Sequence, residues 1–152
     1  MSPSISGSLR SFRGWYLIAK TLYYKKDIVM WSYWWYADPS GPDPWRTWYD
    51  AQDASVRARH DAVFRFLEAR RNWTEPHAKT FDGIVEIRLK TKVQHRLLGC
   101  YWPRMPLAFT IVLPCTHKGK VYDPKDALET ARTRIDELRN GSIWMKRCVR
   151  PE

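Results

Sequence analysis

The sequence predicts an α+β domain, with helices packed on an antiparallel-type sheet of about four strands. Three observations carry this. Ile84 to Lys90 alternates, with Val85, Ile87 and Leu89 on one face and Ile84, Glu86, Arg88 and Lys90 on the other. That is the pattern of a half-buried strand with its charges on the open side. Ala108 to Leu113 is nearly all apolar and suits the centre of a sheet. Two further segments place apolar residues at helical spacing behind capping residues. The resulting order is strand, two helices, three strands, helix.

The elements follow in chain order. Met1 to Gly14 is rich in Ser, Gly and Arg and reads as a mobile tail, and Trp15 to Leu22 can form a short helix. Residues 1–29 form an N-terminal extension, and Met30 is a candidate start of translation. Ile28 to Tyr36 is dense in aromatic and β-branched residues and predicts a strand. The loop Asp38-Pro39-Ser40-Gly41-Pro42-Asp43-Pro44 turns the chain into a short helix over Trp45 to Gln52, with Pro44 in its first turn. Asp53 or Ser55 caps a longer helix reaching about Arg71, whose Val56, His60, Val63, Phe64 and Leu67 share one side. His60 is a packed histidine on that side; His77 falls in a loop. Gln94 to Tyr101 is a hairpin partner for Ile84 to Lys90. Asp123 as N-cap, Pro124 at N1 and Asp126 at N3 open the last helix, with Leu128, Ala131, Ile135 and Leu138 as its apolar stripe and Gly141 at C′. The domain spans residues 30–141, and residues 142–152 read as a tail.

At 152 residues the chain is most simply one domain, long enough to bury a core. Its formal charge is +10. Between Gly83 and Tyr122 stand seven Lys or Arg (Arg88, Lys90, Lys92, Arg96, Arg104, Lys118 and Lys120) and one carboxylate, Glu86. That clustering points to nucleic acid or another polyanion, against the plainer reading of a solvated sheet face. Cys100, Cys115 and Cys148 share no C-x-x-C spacing and read as reduced, partly buried thiols. No apolar run approaches the ~18 residues of a membrane helix. A Walker A loop, a G-x-G-x-x-G fingerprint and a paired-cysteine metal motif are absent. No cofactor, metal or membrane is implied, and the chain reads as cytoplasmic.

Arginine forks on one sheet face can grip phosphate groups in two-bond fashion. RNA breaks without a metal when its 2′-OH attacks the neighbouring phosphate. That reaction needs a base, an acid and cations for the phosphorane charge. His95, His117 and Tyr122 supply groups able to move protons, Tyr122 if nearby cations lower its pKa. The nine Trp lie mostly before residue 49 and fit core packing or a partner interface better than base stacking.

From about Met30 to Gly141 the chain resembles the RelE/ParE superfamily of bacterial toxins, in its HigB-like, phage-associated branch. The carrying residues are Ala37-Asp38-Pro39-Ser40-Gly41, Trp45 to Gln52, Gly83-Ile84-Val85-Glu86-Ile87-Arg88, Gln94-His95-Arg96-Leu97-Leu98-Gly99, Phe109 to Leu113, and Lys118-Gly119-Lys120-Val121-Tyr122-Asp123-Pro124. The resemblance implies a small twisted antiparallel sheet carrying two helices on its N-terminal side and one C-terminal helix. It implies a type II toxin acting as a ribosome-dependent, metal-independent mRNA endonuclease. The partners would be the ribosome and mRNA, a helix-turn-helix antitoxin, and operator DNA through that antitoxin. On this resemblance Arg96, Lys118, His117 and Tyr122 are catalytic, with His117 or Tyr122 as acid or base. Arg88, Lys90, His95 and Lys120 would bind RNA phosphate. Glu86 departs from the pattern, standing where RelE-type toxins carry lysine, and is a candidate to orient Arg88. The same superfamily implies two alternatives: a ParE-like DNA gyrase inhibitor, and an inactive member that binds only antitoxin and DNA.

Overall fold

A computed structural model describes residues 30–148. The expected tail at Met1 to Gly14 and helix at Trp15 to Leu22 lie outside them. Ten elements follow one another: β1 (Ser32–Tyr36), α1 (Pro44–Asp50), α2 (Ala54–Glu68), β2 (Ala78–Phe81), β3 (Ile84–Lys90), β4 (Gln94–Tyr101), β5 (Ala108–Lys118), β6 (Val121–Asp123), α3 (Ala127–Arg139) and β7 (Met145–Arg147).

The seven strands form one mixed sheet in the order β2-β3-β4-β5-β1-β7, with β6 paired to β5. β1 runs parallel to β5, Ser32 opposite Ala108, and the other pairings are antiparallel. This overturns the expected small sheet of about four antiparallel-type strands with two N-terminal-side helices. The sheet begins before either helix, and three helices stand among the described residues. The physical reason is local. β2, β6 and β7 span only three or four residues, too few to display a period of two. The parallel β1–β5 pairing is a long-range contact that leaves no trace in neighbouring residues.

Local chemistry explains the helices. Asp43 caps α1, its Oδ1 accepting from the backbone N–H of Trp45 (3.0 Å) and Arg46 (3.2 Å), with Pro44 in the first turn. Asp53, rather than Ser55, caps α2 by accepting from Val56 N–H at 2.9 Å. The stripe of α2 is the expected one: Val56, His60, Val63, Phe64 and Leu67 are all buried. Each apolar member is worth about 1.5–3 kcal/mol on full burial. α2 stops at Glu68, short of Arg71, and α1 stops at Asp50. The last helix starts later than expected. Asp123 is taken into β6 and cannot cap it; α3 begins at Ala127, and the residue before it, Asp126, makes no side-chain cap bond. Gly141 does take the positive φ suited to its place after the helix.

Two cores sandwich the sheet. On one face α1 and α2 cover Tyr33, Trp35, Val85, Ile87, Leu89, Leu97, Phe109 and Ile111. On the other, α3 covers Ile84, Leu98, Cys100, Val112 and Cys115 through Ala127, Ala131, Ile135 and Leu138. The charged side of β3 is therefore not open along its length: Ile84 and Glu86 are buried, and only Lys90 is exposed.

A β-bulge then decides which side chains share that second face. Leu98 pairs with Leu113, but Gly99 pairs with Ile111, so Val112 has no partner across the strand. The extra residue reverses the alternation of β5. Phe109 and Ile111 face the first core, whereas Cys115 lies in the second. His117, two residues on, follows Cys115. Gly99 is required here, because a Cβ would sit 2.0 Å from the Thr110 carbonyl oxygen.

Candidate functional site

Strand register builds the site. Arg88 of β3 lies opposite Arg96 of β4, and Arg96 lies opposite Cys115 of β5. One step along β5, His117 lies opposite Tyr122 of β6. Glu86 stands two residues before Arg88, on the same side of β3.

Glu86 is the hub. It is 2% exposed, and Arg96 is 8% exposed. Arg88 Nε donates to Glu86 Oε1 at 2.8 Å, and Arg96 Nε lies 3.3 Å from the same oxygen. Tyr122 OH donates to Glu86 Oε2 at 2.5 Å. Arg88 also reaches the exposed Glu75 (Nη1 to Oε1, 3.3 Å). Arg96 Nη1 donates to the His95 carbonyl at 3.1 Å. The His117 and Tyr122 rings lie 4.6 Å apart, inclined at 60°.

These contacts set the proton affinities. Burial, the hydrogen bond to Glu86 and the Glu86 charge together raise the pKa of Tyr122, against a smaller opposing pull from Arg96. The expectation that cations would lower it is thus reversed, because the nearest charge on Tyr122 is an anion. Burial pushes the Cys115 thiol up to about 12, aided by Glu86. Burial lowers the pKa of Arg96, and Glu86 works the other way.

Beyond the His117–Tyr122 pair opens a cleft of about 1000 Å³. The turn residues Lys92 and Val93, the end of β5 at Lys118, and Val121 and Lys125 line it. Its rim carries three lysines against Asp123, a cationic mouth beside two rings able to stack or transfer protons.

Of the residues singled out from sequence, Arg88, Arg96 and Tyr122 gather on Glu86 with His117 beside Tyr122, whereas Lys118 is exposed at the end of β5 and lines the cleft with His117 and Tyr122. Lys120 is exposed in the β5–β6 turn, and Lys90 is exposed at the end of β3. His95 is separated from the rest. Neighbours along a strand face opposite ways, so Arg96 and His95 cannot share a face. The His95 ring meets Trp48 of α1 at 6.2 Å, and burial lowers its pKa. The role of Glu86 as hub was not foreseen beyond its orienting Arg88. Its signal is a lone carboxylate among seven cations. Lys92 and Lys125 were also passed over as rim residues.

The remaining aromatics and histidines are mostly structural. Trp35, Trp45 and Trp73 are buried, and His60 is fully buried. His60 Nε2 accepts from Trp45 Nε1 at 3.2 Å, so Nδ1 carries the proton toward Asp61 at 3.0 Å. Among the described residues no three His, Cys, Asp or Glu are grouped to hold a metal ion, and no helix is long and apolar enough to cross a membrane. No protein-family model, curated protein or solved structure matches the chain.

Proposed function

We propose that the chain is an endoribonuclease that cleaves mRNA on the ribosome, the toxin half of a toxin–antitoxin pair working in the cytoplasm. The observation that carries this reading is the array Arg88–Glu86–Tyr122–His117, whose last two members line a cleft rimmed by lysines. It offers a guanidinium, a hydroxyl donor and an imidazole within one contiguous network.

Roles follow from burial and proton affinity. Arg88 is the more accessible guanidinium (21% against 9% for the Arg96 side chain) and contacts the scissile phosphate. Arg96 is a positioning residue that anchors Glu86. Tyr122, held protonated at neutral pH, can donate but cannot serve as base. His117 therefore takes the 2′-OH proton, and Tyr122 turns its one hydroxyl proton from Glu86 Oε2 to the leaving 5′-oxygen. The 2′-oxygen bonds to phosphorus and the bond to the 5′-oxygen breaks, leaving a 2′,3′-cyclic phosphate and a 5′-hydroxyl end. Lys118 offsets charge on the phosphorane. Lys90 and Lys120 steer the strand from a distance. A helix-turn-helix antitoxin would restrain the protein and carry it to operator DNA.

The test is induction in cells followed by mapping of mRNA ends. New ends at A-site codons, lost on His117→Ala by about 10²–10⁴-fold, are expected. Growth arrest without such ends would overturn the proposal. Loss of plasmid supercoiling that survives His117→Ala and Tyr122→Phe would favour gyrase inhibition instead. Absence of arrest would point to a member that only binds.

A further inference from the structure

A second cationic cluster gathers around His77, where α2 meets the β2 edge of the sheet. His77, just before β2, accepts the Arg88 backbone N–H through its carbonyl at 2.8 Å. Its ring lies 4.4 Å from Phe66 of α2, and the Arg70 guanidinium stacks on Phe66 at 3.8 Å. Arg59 and Phe66 are seven residues apart on α2, two turns along the same edge. Two buried side-chain nitrogens in this region, Arg59 Nε and His77 Nδ1, have no hydrogen-bond partner, and no other such atom occurs among the described residues. An unmet buried polar atom costs about 1–3 kcal/mol, and native proteins keep few of them. Here both fall in one place.

The electrostatics agree. Burial lowers the pKa of His77, and Arg59, Arg70 and Lys90 lower it further. Among the described residues none of Arg59, Arg70 and Lys90 is paired with a carboxylate. Arg70 and the His77 imidazole meet on the Phe66 ring, Arg59 and Lys90 stand close enough to act on His77, and an anion there would complement them. A tetrahedral oxyanion can accept from donors that approach from several elements.

We propose that Arg59, Arg70, His77 and Lys90, with Phe66 beside them, form a second phosphate site that holds the RNA backbone away from the cleaved bond. This rests on the reading of the protein as RNA-directed. Phe66, 38% exposed, gives a base its stacking surface. Arg88 ties the two sites together, its side chain at the first and its backbone N–H on His77 at the second.

The experiment uses the full chain and two probes: inorganic phosphate, and a ten-nucleotide 2′-O-methyl oligoribonucleotide that cannot be cleaved. Histidine side-chain NMR reads the binding. Phosphate is expected to shift the His77 imidazole resonances, and Arg59→Gln with Arg70→Gln to abolish that shift. The same pair should weaken oligonucleotide binding about tenfold and lower the slope of log K against log salt by about 0.7, one phosphate contact. Lys90→Gln, an exposed change, keeps the test open if the arginine pair fails to fold, and should lower affinity in the same direction. A silent His77 with both probes would overturn the proposal. A phosphate response with unchanged oligonucleotide affinity and slope would also overturn it, marking a site for free anion. Cleavage dependent on His117 with a silent His77 sinks this inference alone. A His77 response without cleavage sinks the proposed function alone.

Discussion

Replacing Glu86 by glutamine removes one negative charge and almost no volume. Glu86 faces Arg88 at 2.8 Å and Arg96 at 3.3 Å, and Arg96 is nearly as buried as its partner. At an effective dielectric near 20, one such pair is worth about 5 kcal/mol before desolvation is subtracted. The variant leaves the guanidinium of Arg96 buried without its counter-charge, and breaking a buried pair from one side costs about 3–5 kcal/mol. That is a large share of the roughly 5–15 kcal/mol that holds a domain together. Urea unfolding followed by tryptophan fluorescence reads it directly. At a slope near 2 kcal/mol per molar, the midpoint should fall by about 2 M. Glu75→Gln is the control, because Glu75 also pairs with Arg88 but its side chain is 59% exposed; it should change stability by less than about 1 kcal/mol. A Glu86→Gln protein within 1 kcal/mol of wild type would refute the view of Glu86 as the electrostatic anchor of the site.

Tyr122 has a folded pKa raised above its unfolded value near 10, so its contribution to stability is full below about pH 10 and is lost as pH climbs through the folded value. Tyr122→Phe should therefore flatten the fall of the urea midpoint between pH 10 and 12, and an unchanged slope would contradict the Glu86 bond. Gly99→Ala drives a Cβ into the Thr110 carbonyl and the Phe109 ring; a loss of about 3 kcal/mol or more is expected by thermal unfolding, together with altered His117 NMR shifts as the bulge is disturbed. Glu75→Gln frees Arg88 for phosphate, and titration with uncleavable RNA should show severalfold tighter binding. Cys100 and Cys115, their thiols pushed up by burial to about 11 and about 12, should resist a thiol reagent at pH 8 until urea is added.

The legible parts of the sequence were those with a long local signature. The stripe and cap of α2, the alternation of β3 and the apolar run of β5 each repeat a signal over several residues. β2 was missed although Asp82-Gly83, both at positive φ, is a strong two-residue hairpin signal. The four residues before it, with Lys79 and Thr80 exposed, show no apolar face of their own. The start of α3 failed for a different reason: Asp123 and Asp126 both suit a cap, and only the pairing of Thr116 with Asp123 decides between them. For the site, types of residue were readable but faces were not. Alternation alone already separates His95 from Arg96. The bulge at Val112, by contrast, depends on a partner strand and moves His117 to the face of Arg88 without any mark in β5 itself.

The place of β1 between β5 and the edge strand β7 has a consequence for synthesis. Its two neighbours, β5 and β7, are both made much later than it is. Until Ala108 and the residues after it leave the ribosome, Tyr33, Trp34 and Trp35 have no strand to pair with, and β2, β3 and β4 can only form their own meander. The face that carries Glu86, Arg96 and His117 needs β5 and β6 as well, so it too is assembled late. A chain broken off before residue 108 would carry an unpaired aromatic strand and no His117–Tyr122 pair. Such a fragment would be sticky, a substrate for chaperones and proteases.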